Sequence, residues 1–246
     1  MSSPIDQFNI IKLIPINIAG FDISFTNSAM FMIIASLICV LIPYFILKMQ
    51  KGLLPSRSVA FFTYIYDFVK GLVTQHTKQQ NYIPLIMSLF LFIFTSNLLG
   101  IIPGFFTTTS HIIITLCLAL TVYIAIVGIG IKKHRWRIFS IFLPSDVPLY
   151  IAPIIVPVEI VQFIAKPISL SIRLFANMVA GHIVLKIFAG FAIAILTASY
   201  YVAPLALVLV FVNVFLIAFE LMVAFLQAYI FTVLICIYMG DLLQLH

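Results

Sequence analysis

From Leu205 to Met239 the chain runs for 35 residues with Glu220 as its only charge and with no Pro or Gly inside. As one helix this stretch would be roughly 52 Å long at about 1.5 Å per residue. The hydrocarbon of a bilayer is only about 30 Å thick. Two spans would need a polar turn midway, and the middle, FLIAFELMVAF, offers none. What remains is a single helix that crosses the membrane obliquely, tilted well beyond the usual mean of about 20°. Val158 to Leu196 is a second apolar stretch, with Glu159, Lys166, Arg173, His182 and Lys186 embedded in it. Two long oblique helices, back to back, are therefore expected.

Composition agrees that the solvent is lipid. The 246 residues are 64% hydrophobic and 8% charged, with a mean hydropathy of +1.25, whereas soluble domains carry about 25% charged residues. Disorder, a secreted disulfide scaffold and an ordinary cytosolic enzyme are excluded together. Cys39, Cys117 and Cys236 each sit in an apolar run without metal spacing and read as small core hydrophobes. The net charge of +6 is better spent on membrane orientation than on nucleic acid. The opening MSSPIDQFNIIKLIP lacks the pattern of a signal or transit peptide. Insertion is thus expected to rely on the spans themselves.

Three further runs, Ala29 to Leu47, Tyr82 to Ile102 and His111 to Ile131, contain no Asp, Glu, Lys or Arg and are long enough to span. Between the first two, Val59, Phe62, Tyr66, Val69 and Val73 recur at helical spacing, and Arg57, Asp67, Lys70 and Lys78 take other positions. That pattern predicts an amphipathic helix on the membrane surface. The chain thus reads as an all-α polytopic membrane protein with one membrane domain over 1–246. It begins with an outer segment at 1–28, then three spans within 29–131 with an interfacial helix at 53–80. A Pro-rich irregular segment follows at 138–157, then tilted helices at 158–200 and 204–240. Basic residues in short loops resist translocation. The 48–81 segment and the KKHRWR turn are each strongly basic, whereas 1–28 and the 103–110 turn are not. The N-terminus is therefore expected outside and the C-terminus inside.

A charge inside a transmembrane helix costs about 2.5 to 3.5 kcal/mol on insertion scales, so it faces water or a partner. Arg173 is the sharpest case, because it cannot shed its proton. Glu159, Lys166 and Arg173 are spaced by seven and Asn177 follows at i+4, along one face. His182 falls on the opposite face with Lys186 and, roughly, Ser171. The last helix repeats the device with Asn213, Glu220 and Gln227. In so apolar a chain, a polar stripe is either a seam between helices or an aqueous path. Asn213 and Gln227 suit either. Glu220 points to a path, since a mid-membrane acid is costly, titratable and of the type used in proton relays. Asn97 reads as an interhelical hydrogen-bonder. His111 and His182 lack the second histidine that haem ligation would need, and His76, His134 and His246 carry no signal.

The segments SLSIRLFANMVAGHIVLKIFAGF and ELMVAFLQAYIFTVLICIYMGDLLQLH closely resemble subunit a of the F-type ATP synthases. The opening SPIDQF, the interfacial helix and the SNLLGIIP turn extend the likeness over nearly the whole chain. The resemblance implies a stationary proton-path subunit beside a rotating c-ring, with peripheral-stalk partners of the subunit b type and no cofactor or metal. Arg173 takes the position of the essential arginine that faces the rotor carboxylate and prevents a proton short-circuit between two offset half-channels. His182, Glu220 and Gln227 take proton-path positions, with Asn177 beside the arginine and Glu159 on the exit side. The pairing of His182 with Glu220 looks like the mitochondrial and related bacterial form. It implies the mitochondrial inner membrane, or alternatively a bacterial plasma membrane. Gly240 stands where Asn is usual, which leaves the role of Asp241 open. A secondary transporter would instead show inverted repeats, and 29–131 and 138–246 share no polar pattern. A respiratory-complex subunit would lack a rotor partner.

Overall fold

The computed structural model describes residues 9–18, 21–22, 24–48, 50, 56–102, 105–135, 150–198 and 203–243. Among them are six α-helices: α1 (Asn27–Lys48), α2 (Arg57–Thr77), α3 (Ile83–Ile101), α4 (Ile112–His134), α5 (Ala152–Ala198) and α6 (Ala203–Leu243). All except α2 are long and apolar enough to cross a membrane, α3 together with the 3-10 turn Gln80–Tyr82 before it. The protein is an all-α polytopic membrane protein. The two long helices have 47 and 41 residues, roughly 70 and 62 Å at about 1.5 Å each. Both exceed the apolar runs that announced them.

Helix α5 opens at Ala152, so residues 152–157 are helical where an irregular, Pro-rich backbone was expected. Pro153 sits in the first turn, where the missing N–H would have had no helical partner. Pro157 and Pro167 lie further inside the helix, which nevertheless runs unbroken. The rest of the expected irregular segment lies outside the described residues.

The N-terminal segment carries four very short strands. β1 (Lys12–Ile14) pairs antiparallel with β4 (Phe25–Thr26), and β2 (Asn17–Ile18) with β3 (Phe21–Asp22). Asn27 ties this hairpin to α1: its Oδ1 accepts from the Ile11 N–H at 3.2 Å, and its Nδ2 donates to the Asn9 carbonyl at 3.2 Å. The Thr26 hydroxyl accepts from the Ala29 N–H and satisfies one of the unpaired donors that begin α1.

The chain divides into two compact units. The first comprises the described parts of Met1–Cys39, Phe92–His111 and Leu174–Ala228. Its buried residues include Ile93, Leu174, Met178, Ala224 and Ala228, and Phe94 meets Phe225 edge-on at 6.0 Å. The second comprises the described parts of Val40–Leu91, Ile112–Arg173 and Tyr229–His246. There Val69, Val73, Ile86, Phe90, Phe231 and Ile235 are buried, and Phe68 bridges Phe90 and Tyr229. Helix α2 has the expected amphipathic pattern, capped by Ser56, with Val59, Val69 and Val73 buried. Tyr66 departs from it at 40% exposed. Much of α1, α5 and α6 presents apolar side chains outward, among them Val40, Val161, Phe211 and Phe215. Such a surface calls for lipid or another protein.

Candidate functional site

In the first unit α5 and α6 run antiparallel, and their polar side chains meet. Asn177 Nδ2 donates to Gln227 Oε1 at 2.8 Å. Just over one turn further along α5, His182 Nε2 stands 3.7 Å from Glu220 Oε1. Both side chains are buried, His182 at 8% and Glu220 at 5% exposed. Neither Glu220 oxygen has a hydrogen-bond partner among the described residues. An acid left so is costly in its charged form, and 3.7 Å from an imidazole nitrogen it is one small movement, or one bridging water, from proton exchange.

Gly181 creates the room for this approach. A Cβ at that position would lie 2.8 Å from Glu220 Oε1 and 3.2 Å from Cδ, so the carboxyl group rests against the bare backbone of α5. Any side chain at 181 would push it away.

His182 also borders a cavity of about 650 Å³, lined by Asn9, Asn27, Phe106, Lys186 and Asn213 among others. Lys186, one turn beyond His182, shares its stripe as the spacing predicts. Asn213 supplies a buried Oδ1 without a partner among the described residues. The cavity is therefore polar where the two stripes converge and apolar around Phe31, Phe105 and Phe106. Water can hydrogen-bond along its polar side.

Asn97 donates across to the Ala224 carbonyl at 3.5 Å, the interhelical role its sequence context suggested. Gln227 is 2% exposed, and its Nε2 has no partner among the described residues.

In the second unit, Arg173 is half-buried. No described acid forms an ion pair with it. Glu159 is half-buried on the first turns of α5. Lys166 reaches Asp241 at 4.0 Å and lies 4.7 Å over the ring of Tyr238. Ser171, expected roughly on the His182 stripe, shares a buried 3.0 Å hydrogen bond with Thr115. Lys133 and His134, at the end of α4, reach the Leu243 carbonyl at 3.1 and 3.3 Å. They give the C-terminal end of α6 a basic cap. These contacts escaped sequence reading, because a spacing pattern within one helix cannot name a partner on another.

Among the described residues no three His, Cys, Asp or Glu side chains gather as a metal site would require. The chemistry available is proton exchange between buried side chains beside a polar cavity. It is carried by facing, ionisable positions on two very long apolar helices, and that defines an ion-path protein of the membrane. The chain belongs to the ATP synthase A chain family, which it matches over residues 29–240. It is 44% identical to ATP synthase subunit a of Mesorhizobium japonicum, over 98% of this chain and 96% of that one. It is 41% identical to ATP synthase subunit a of Rhizobium rhizogenes, with the same shares covered.

Proposed function

We propose that this chain is the proton-conducting stator subunit of an ATP synthase membrane sector, working beside a c-ring and held by a peripheral stalk of the subunit b type. Family membership supports a multi-pass, proton-translocating subunit of that sector. The relatives are bacterial and favour the plasma membrane, so the mitochondrial inner membrane expected from the resemblance has no support.

The observation that carries the reading is the buried approach of His182 to Glu220 beside the polar cavity. In this reading the cavity opens one half-channel, and Asn213, His182 and Glu220 pass protons along it with the Asn177–Gln227 pair alongside. A second half-channel runs past Glu159. Arg173 is a permanent cation between the two, attracting a rotor carboxylate and repelling a proton that would cross directly. A proton crossing 100 mV releases about 2.3 kcal/mol, and a direct leak would dissipate it without turning the rotor. The long helices lie oblique so that they follow the curve of the rotor, and α2 lies at the interface. The N-terminus is outside and the C-terminus inside. Labelling a cysteine placed at Lys132 from the inner face only of sealed vesicles fits this topology, and labelling from the outer face contradicts it.

The decisive experiment purifies the assembled complex and drives protons through its membrane sector in vesicles. A copurifying small, two-helix, acid-bearing oligomer and loss of flux in Glu220→Gln support the reading. An amide keeps the hydrogen-bonding shape but cannot exchange a proton. Flux within a factor of about two of wild type in the assembled mutant, roughly 0.4 kcal/mol on the barrier, refutes the relay.

A further inference from the structure

The segment FFTTTSH joins α3 to α4 and carries hydroxyls at four successive positions, Thr107, Thr108, Thr109 and Ser110, each 4% exposed. So many buried hydroxyls need partners in an apolar protein. Ser110 supplies one, donating from Oγ to the Thr107 carbonyl at 2.6 Å while its N–H reaches the same carbonyl at 3.2 Å. The turn so closed aims the Thr107 side chain at two groups. Its Oγ1 lies 3.4 Å from the Gly100 carbonyl and 3.1 Å from His182 Nε2. Gly100 permits this approach, because a Cβ there would lie 2.7 Å from Thr107 Cγ2.

We propose that Thr107 is a positioning residue for His182, holding the imidazole toward Glu220 in both of its protonation states through a hydroxyl that can reverse its hydrogen bond. The proposal rests on the relay reading above. A hydroxyl has one proton to give and lone pairs to receive with. When Nε2 carries hydrogen, its one N–H is shared between Thr107 Oγ1 at 3.1 Å and Glu220 Oε1 at 3.7 Å, while the Thr107 hydroxyl gives its own proton to the Gly100 carbonyl. When Nε2 has released its proton to Glu220 Oε1, the hydroxyl rotates and donates to the bare nitrogen. A carbonyl in that place would favour only the protonated nitrogen, and an N–H only the bare one. Either would oppose half of the cycle. Among the described residues, Glu220 of α6 approaches Nε2 and Lys186 lies one turn along the same helix as His182. Lys186 has no acceptor to offer, and Glu220 is the partner in the exchange rather than a fixed support for the ring.

The test measures proton flux per assembled complex, in the full ATP synthase reconstituted into vesicles, for Thr107→Val, Thr107→Ser and Thr107→Ala. Valine keeps the shape and loses the hydroxyl, and serine does the reverse. Thr107→Val should conduct at least about tenfold more slowly and Thr107→Ser within about twofold of wild type. If valine prevents assembly, Thr107→Ala, which removes bulk as well as the hydroxyl, should show the same deficit relative to Thr107→Ser. A packing role predicts the opposite order, with valine the milder change, and that order overturns the proposal. Wild-type flux in Thr107→Val or Thr107→Ala alongside a slow Glu220→Gln also overturns it, leaving the relay standing. Fast flux in Glu220→Gln removes the relay and this inference with it.

Discussion

Along α5, His182 meets Glu220 of α6 in one unit and Lys166 meets Asp241 of α6 in the other, and the two pairs are built on opposite terms. The first is buried on both sides, at 3.7 Å, with a base that can be neutral and an acid whose oxygens lack partners among the described residues. The second is at 4.0 Å, with side chains 27% and 59% exposed, and its lysine is also held over the Tyr238 ring. Exposed ion pairs are worth about 0 to 1 kcal/mol because water screens them and the side chains lose freedom. A stacked cation adds about 0.5 to 1 kcal/mol at an exposed site. Lys166 and Asp241 are thus a modest tie between helices. His182 and Glu220 stabilise little when both are neutral, and that costly arrangement makes sense where a proton must come and go.

The largest expected effect lies between the pairs. Arg173→Ala should reduce coupled ATP synthesis by more than about a hundredfold while leaving assembly largely intact, since the change makes the helix more compatible with lipid. ATP synthesis per assembled complex is the measurement, and near wild-type coupling would remove Arg173 from the barrier role. Arg173→Lys should fail too, because an ammonium lacks the planar fork that meets a carboxylate.

Gly181→Ala comes next. The added methyl meets the end of a flexible carboxyl group, so Glu220 should swing aside at little cost in stability. Proton flux should fall several-fold with normal complex yield. Unchanged flux would mean that the close packing of Glu220 against α5 is incidental. The smallest effects belong to the other pair, where Lys166→Ala and Asp241→Asn should each leave assembly and flux within about twofold of wild type. Should Asp241→Asn slow protons as severely as Glu220→Gln, the contrast between the pairs collapses and Asp241 joins the conducting groups.

Those features that depend on one side chain at a time were legible in the sequence. Apolar run length located the membrane-length helices, and α-helical spacing put His182 and Lys186 on one stripe, where both border the cavity. Apart from Asn97, read as an interhelical hydrogen-bonder, features that depend on two segments meeting were not. The strands between Lys12 and Thr26 are two or three residues long, too short for an alternation to register. The early start of α5 was hidden because Pro reads as a breaker although a first turn accepts it. Thr107 was hidden in a turn read only as lacking charge. The signal available was their density, four in succession within a chain that is 64% hydrophobic.

Helix α5 is continuous from Ala152 to Ala198, and it therefore acts as a ruler. Asn177 and His182, both in the first unit, are five positions apart on one rod, about 7.5 Å along its axis, with no loop between them to absorb a change in length. A substitution there alters one contact. Removing or adding a single residue would turn everything beyond it by about 100° and shift it by about 1.5 Å, carrying His182, Gly181 and Lys186 off the line of Glu220 at once. This stretch can vary in letters far more freely than in length, and a duplicated or deleted codon within it would be a harsher lesion than most replacements.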